Sequence, residues 1–462
     1  MVSKAKTTFV CQSCGVSSPK WVGKCSSCGA WNSFVEEIIQ SASTSALQKT
    51  FIAREKPLTL KEVNATAETR INTHNNELNR VLGGGLVPGS LVLLGGEPGI
   101  GKSTLLLQTV FDLKDKLCLY ISGEESLSQI KLRAERVGYT DSECLFVSDT
   151  QLESILGIVE QTNPDVVIVD SIQTLQTERV ESSAGSVTQI RECASMLLKF
   201  AKERNISFIL VGHITKDGGL AGPKILEHTV DVVLQFEGDT HYQYRVIRSI
   251  KNRFGSTSEI GIFEMNASGL REVSNPSEML LSGNAENLSG VAIASTIEGV
   301  RPILVEVQAL VSSAAYGVPQ RSSNGFDLRR LSMLLAVLEK RAGFRLATKD
   351  VFMNIAGGLK ISDPALDLAV IIAILSSNFD ISVDNRACFA AEVGLTGEIR
   401  SVNRVEQRIS EAEKLGFNTI FVSSHNKKSL ANYRGKIKIE FVGKIEDVFY
   451  KIFRKVEQNN PS

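Results

Sequence analysis

Three sets of residues have the types and spacing that chemistry requires. The first is Gly95-Gly96-Glu97-Pro98-Gly99-Ile100-Gly101-Lys102-Ser103-Thr104, which fits G-x-x-x-x-G-K-[ST] from Gly96 to Ser103. Glycines let a backbone wrap an anion closely, so that successive N–H groups and a helix N-terminus point at one phosphate. In such a loop Lys102 reaches the β- and γ-phosphates and the Ser103 hydroxyl ligates Mg2+. The predicted ligand is a nucleoside triphosphate, held by Gly96, Glu97, Pro98, Gly99, Ile100, Gly101, Lys102, Ser103 and Thr104. The second set is acidic. Pro164-Asp165-Val166-Val167-Ile168-Val169-Asp170 is an apolar run ending in an acid, and Asp170 is expected to hold Mg2+ through water. Hydrolysis also needs a group that orients the attacking water. Glu124 and its neighbour Glu125, just after Leu119-Tyr120-Ile121-Ser122-Gly123, are the two candidates for that role.

The third set is two C-x-x-C knuckles, Cys11/Cys14 and Cys25/Cys28, each followed by a glycine, Gly15 or Gly29. Four thiolates in matched pairs suit tetrahedral Zn2+, with iron the alternative metal. So small a segment buries too little apolar surface to fold unaided, and the metal supplies most of its stability. The knuckle segment also carries Lys4, Lys6, Lys20 and Lys24 together with Trp21 and Trp31, with no acid before Glu36. Two roles are open to the tryptophans: stacking on a single strand of nucleic acid, or forming the core of the small module.

These residues need elements to position them. Leu91–Leu94 before the glycine loop and Leu105–Gln108 after it predict strand, turn and helix. Apolar runs at Leu117–Ile121, Val166–Val169, Phe208–Val211 and Val230–Leu234 read as buried strands, and Thr188–Lys202 has helical spacing. Strand and helix in alternation imply a mainly parallel sheet, with ligands at the carboxyl ends of its strands. Residues 41–73 are polar and poorly periodic, as a linker is. After about Pro276 the pattern changes to short strands such as Ile303–Leu310, with helices at Leu328–Leu338, Ala365–Leu375 and Arg404–Leu415.

With 462 residues, two or three domains are expected, and 43% hydrophobic with 22% charged residues describes a globular protein. A formal net charge of zero leaves any nucleic-acid contact to local basic patches. The first ten residues hold no apolar run of signal-peptide length, and Leu366–Leu375 falls short of the roughly 20 residues of a membrane span. No membrane partner is expected. A reducing cytoplasm is the expected location, so the eight cysteines read as thiols or metal ligands. Cys118, Cys144, Cys193 and Cys388 read as buried structural residues.

Lys251-Asn252-Arg253-Phe254-Gly255 resembles the KNRFG signature of the bacterial RadA (Sms) DNA repair proteins, and the order of parts is similar along the whole chain. The resemblance implies an α/β fold: a RecA-like P-loop ATPase core (74–275) with an N-terminal four-cysteine zinc finger (1–36), a linker (37–73) and a C-terminal α+β Lon-protease-like domain (276–462). It implies that Glu124 stands where RecA-type ATPases carry their catalytic glutamate. It also places His213 at a γ-phosphate-sensing position, followed by a DNA-contacting loop containing Lys216 and Lys224. Lys251 and Arg253 are expected near a subunit boundary, coupling a neighbour's ATP to DNA movement through the motif. Ala391-Glu392-Val393-Gly394-Leu395-Thr396-Gly397-Glu398 resembles the Lon core, yet Ala365 stands where Lon enzymes have serine and Glu406 near the expected lysine. Without hydroxyl and amine that dyad performs no acyl transfer. In place of proteolysis, ring assembly and a basic DNA-facing surface of Arg329, Arg330, Lys340, Arg341, Arg345 and Lys349 are expected. The activity implied is a DNA-dependent ATPase driving branch migration in recombination, as a hexameric ring on single-stranded and branched DNA, with the RecA recombinase as partner. The cofactors implied are ATP, Mg2+ and Zn2+. A nucleotide-switched DNA-binding module without translocation and an ATP-dependent protease are the competing readings.

Overall fold

The computed structural model describes residues 6–11, 15–39, 69–139, 143–213, 224–238, 243–281, 288–314 and 317–457. The chain divides into two compact units, Met1–Glu237 with Arg245–Glu272, and Gly238–Tyr244 with Val273–Ser462. The expected loop lysine Lys216, the fourth cysteine Cys14 and most of the expected linker fall outside the described residues.

The first unit begins with a small antiparallel sheet of β1 (Lys6–Cys11), β2 (Ser17–Ser18) and β3 (Phe34–Ile39), with β1 in the middle. Its core consists of Cys11, Cys25 and Phe34, with Phe9 packed against them. Trp21 is 54% exposed and Trp31 69% exposed. The tryptophans are therefore not the core of this module. A phenylalanine beside the cysteines takes that place.

The rest of the unit is a nine-stranded sheet. Its elements are α1 (Asn76–Leu82), β4 (Leu91–Gly96), α2 (Lys102–Asp112), β5 (Cys118–Ser122), α3 (Leu127–Arg136), β6 (Leu145–Ser148), α4 (Leu152–Thr162), β7 (Val166–Asp170), α5 (Val187–Arg204), β8 (Ser207–His213), α6 (Lys224–Thr229), β9 (Val232–Glu237), β10 (Tyr244–Asn252), β11 (Ile260–Asn266) and β12 (Gly269–Glu272). The strand order is β12-β11-β10-β9-β4-β8-β7-β5-β6. From β9 to β6 every pairing is parallel, while β10 returns antiparallel beside β9. All six residues of β4 are buried, as a central parallel strand covered on both faces must be. Alternation along it divides the core. Val92 and Leu94 pack with Val110 and Phe111 on one face, and Leu91 and Leu93 with Ile190 and Leu197 on the other.

In the second unit α7 (Pro276–Leu280) leads into β13 (Val291–Glu298), β14 (Arg301–Ser313), β15 (Arg321–Asn324), α8 (Leu328–Ala342), β16 (Lys349–Ile355), α9 (Asp367–Phe379), β17 (Ala387–Ala390), β18 (Glu392–Val393), β19 (Ile399–Arg400), α10 (Val405–Lys414), β20 (Thr419–Ser423), β21 (Lys438–Val442) and α11 (Ile445–Glu457). Seven strands form a mixed sheet ordered β15-β16-β14-β13-β17-β20-β21. The expected short strand at Ile303–Leu310 is part of β14, which runs 13 residues because it pairs with β13 along its first half and β16 along its second. Helix α9 is buried from Asp367 to Ser376, apolar all round because it lies within the domain core.

Candidate functional site

Sheet register brings the chemical residues of the first unit together. β4 pairs with β8 so that Gly96 faces His213, and β5 with β7 so that Ser122 faces Asp170. These are the carboxyl ends of the parallel strands. The glycine loop leaves β4 there and enters α2, whose first turn has no side-chain cap. Its free N–H groups and the positive end of the helix dipole are therefore available to an anion. Gly101 has φ +114, a backbone conformation that residues with a Cβ rarely adopt.

Lys102 is 4% exposed. Its ammonium donates to the carbonyls of Gly96 at 2.8 Å and Glu97 at 2.9 Å, and to His213 Nδ1 at 3.4 Å. Burial pulls its pKa down to about 8 against the raising charges of Asp170, Glu124 and Glu97. Asp170 closes β7 and accepts from the buried Tyr120 hydroxyl at 2.6 Å. Glu124 accepts from Ser171 and lies 3.1 Å from His213 Nε2. Burial alone would raise Glu124. The hydrogen bonds from Ser171 and His213, with the charge of Lys102, outweigh it and hold the carboxyl below its ordinary value. Glu125 is drawn instead to Arg133. The geometry thus turns Glu124 and Glu125 toward different partners.

A cleft of about 440 Å³ opens over these groups, lined by the loop from Pro98 to Thr104, by Glu124, Asp170 and His213, and by Met265–Ala267 from the β11–β12 hairpin. Gln108 fastens the hairpin to α2, donating to Leu270 O at 3.2 Å and accepting from Leu270 N at 2.9 Å. A lone glutamine more than 160 residues away in sequence gives no local sign of this contact.

The Lys251–Gly255 motif lies elsewhere. β10 continues through Lys251 and Asn252, past a bulge between Ser249 and Lys251, so the motif begins within a strand. Asn252 faces Val232 of β9, which faces Val92 of β4. The motif is therefore level with the start of β4, roughly 10–13 Å along the strands from the glycine loop. Lys251 Nζ donates to the carbonyls of Glu227 at 2.6 Å and Val230 at 2.7 Å, closing the end of α6. Burial lowers its pKa, and the Arg253 charge adds to this. Arg253 pairs at 3.0 Å with Asp231, a carboxylate 1% exposed. Asn252 accepts from Phe254 N and donates to Val81 O, while Gly255 lies against Gly83.

In the N-terminal module the sulfurs of Cys11, Cys25 and Cys28 lie within 4.8 Å of one another. The Cys11–Cys28 separation is 3.7 Å, close to the edge of about 3.8 Å that tetrahedral Zn–S bonds of about 2.3 Å require. Gly15 and Gly29 take positive φ, and each donates its N–H back to the first cysteine of its knuckle, at 2.7 and 2.9 Å. The donor set fits zinc. Cys118, Cys193 and Cys388 are buried free thiols, and Cys144 is half-buried.

In the second unit Ala365 is fully buried in a short 3-10 turn, and Glu406 is exposed on α10. Nearby, Arg408, 3% exposed, pairs with Asp363 at 2.6 Å. Arg330 is not part of a free basic surface, because it holds the buried Asp367, with Nε–Oδ1 at 3.0 Å. Lys349 is likewise engaged, donating to Asn378 at 2.6 Å. Both are absorbed by packing partners that the charge pattern of their own segments does not show. No described helix is long and apolar enough to cross a membrane.

Comparison with known proteins adds three family matches: an AAA domain over 54–219, a rubredoxin metal binding domain over 9–36 and subunit ChlI of Mg-chelatase over 317–426. The chain is 48% identical to the DNA repair protein RadA of Bacillus subtilis over 447 residues, covering 96% of this chain and 97% of that one. Against the RadA of Listeria monocytogenes it is 48% identical over 426 residues, 92% of this chain and 93% of the relative. A KaiC-like protein from Pyrococcus horikoshii aligns with 44% of this chain and 98% of its own at 20% identity and a TM-score of 0.37, too low to carry an argument.

Proposed function

The chain belongs to the family of the DNA repair protein RadA, and from that premise we propose that it is a DNA-dependent ATPase that drives branch migration in homologous recombination and recombinational repair. The family's ATPase domain implies ATP hydrolysis. The observation that carries the reading further is the open cleft in which Lys102, Glu124, Asp170 and His213 converge at the uncapped start of α2.

In this reading the loop from Gly96 to Thr104 cradles the triphosphate. Lys102 neutralises its β- and γ-phosphates, and Ser103 and Asp170 hold Mg2+. The metal, when bound, supplies charge neutralisation between the phosphates. Glu124 orients the attacking water and takes its proton. Tyr120 fixes the Asp170 carboxylate through its 2.6 Å hydrogen bond. Lys251 and Arg253 lie too far along the sheet to touch the chain's own phosphates, which favours their acting on a neighbouring subunit's nucleotide in a closed ring. Cys14 joins Cys11, Cys25 and Cys28 around Zn2+. The division into zinc finger (1–36), linker (37–73), ATPase (74–275) and Lon-like domain (276–462), the hexameric ring, the cytoplasmic location and the work on RecA-made strand-exchange intermediates belong to the same proposal.

Its test is extension of RecA-made joint molecules by wild type and Lys251→Ala. The variant is expected to bind ATP as wild type does and to lose strand extension. Wild-type extension by Lys251→Ala would remove the motif from coupling.

A further inference from the structure

One imidazole stands between the two groups on which hydrolysis depends. Lys102 Nζ donates to His213 Nδ1 at 3.4 Å, and His213 Nε2 lies 3.1 Å from Glu124 Oε1. An ammonium has only protons to give and a carboxylate only lone pairs, so a neutral ring satisfies both with its proton on Nε2. Backbone geometry sets the ring there, since His213 is the last residue of β8 and faces Gly96. Ser171 donates to the same Oε1 of Glu124. Two donors fixed on one oxygen define the carboxylate plane and leave Oε2 to the water. Glu125 offers no substitute, being paired with Arg133.

The two contacts of the ring differ in what nucleotide does to them. Lys102 already has carbonyl partners at 2.8 and 2.9 Å, and its 3.4 Å contact with His213 is the longest of the three. A phosphate oxygen drawing on the ammonium displaces the longest contact at least cost. The bond from His213 to Glu124 involves no atom that phosphate replaces, so it persists when the site is filled.

We propose that His213 is a positioning residue for hydrolysis, whose Nε2–H, together with Ser171, aims the Glu124 carboxylate at the attacking water. This rests on the reading of Glu124 as the water-orienting base. The test uses the full-length chain and three variants: His213→Asn, whose short amide ends near Nδ1; His213→Gln, whose longer amide reaches the Nε2 position; and Glu124→Gln. His213→Asn is expected to lower kcat about 30-fold with KM for ATP within about threefold, and His213→Gln to recover at least about tenfold of that loss. Affinity for a fluorescent ADP analogue stays within about threefold in both variants, because the ring touches phosphate-binding groups only through the contact given up. Equal losses in His213→Asn and His213→Gln, loss of ADP binding alongside turnover, or wild-type kcat in His213→Asn while Glu124→Gln is inactive would each overturn the positioning role. Turnover retained by Glu124→Gln would instead remove the base assignment itself, and this inference with it.

Discussion

The two units each contain a cluster of charged residues among buried strands, and the clusters use their charge in opposite ways. In the ATPase unit Lys102, Glu124 and Asp170 face an open cleft of about 440 Å³, and the ammonium is so desolvated that its pKa falls to about 8. In the Lon-like unit Arg408 and Asp363 face each other. The guanidinium also donates to Ser295 O at 2.8 Å and Asn403 O at 3.0 Å. Asp363 also accepts from Ile297 N at 2.8 Å and Ala365 N at 3.1 Å. Every charge there is answered from within the chain. The open cleft keeps unspent electrostatic capacity for a ligand, whereas the charges of Arg408 and Asp363 serve as cross-links. The Asp367 that interrupts the apolar run of α9 follows the same rule, held by Arg330 and by Val393 N at 3.0 Å.

Substitutions at the two clusters should therefore separate function from stability. Lys102→Ala has the largest expected effect, a loss of at least about 100-fold in ATP turnover with little change in melting temperature. Turnover near wild type in that variant would remove the phosphate assignment. Arg408→Ala should do the reverse, costing about 3–5 kcal/mol of folding stability through the unpaired buried Asp363, while ATP affinity in the folded fraction is kept. Denaturant unfolding followed in the second unit reads this, and an unchanged midpoint would contradict the cross-link.

The sign of the pH effect at Asp363 follows from its partners. Burial would raise its pKa, but the Arg408 hydrogen bond and charge, with two backbone N–H groups, lower it below the ordinary carboxylate value. The pair's contribution is full above the unfolded value of about 3.9 and is lost as pH falls through the lower folded one. Asp363→Asn should thus be less stable than wild type at neutral pH, with the gap narrowing below about pH 4. A gap that stayed constant to pH 2 would place the stabilisation elsewhere.

Metal analysis addresses the N-terminal module, where Cys25→Ala combined with Cys28→Ala should take zinc from one equivalent per chain to none. Retention of the metal would refute the cluster. The smallest effect concerns Trp21 and Trp31. They are the only tryptophans in the chain and both are exposed. Single-stranded oligonucleotide should quench their fluorescence by stacking, and an abasic strand should not. Equal quenching by both strands would count against base stacking.

Much of this was legible in the sequence because it is local. A strand, a glycine turn and a helix start within the 18 residues from Leu91 to Gln108, and the paired cysteines are three positions apart with their own glycines. What the sequence did not reveal depends on contacts across the fold. The β11–β12 hairpin over the cleft, the Arg408–Asp363 pair and the placement of Arg330 on Asp367 each join segments tens to hundreds of residues apart. The exposed tryptophans teach a related lesson. Aromatic residues in a very small module look like its core until a phenylalanine beside the cysteines has filled it. Glu124 differs from Glu125 in its contact with His213, whose place beside the loop comes from the pairing of β4 with β8.

The measurement that tests the central claim most directly is steady-state ATP hydrolysis by the full chain, with and without single-stranded DNA, at low and moderate salt. A DNA-coupled motor predicts turnover stimulated by DNA, with stimulation fading as salt rises and phosphate contacts weaken. Turnover that stays the same at DNA concentrations where binding is demonstrated would contradict it and leave a nucleotide-switched binding module in its place.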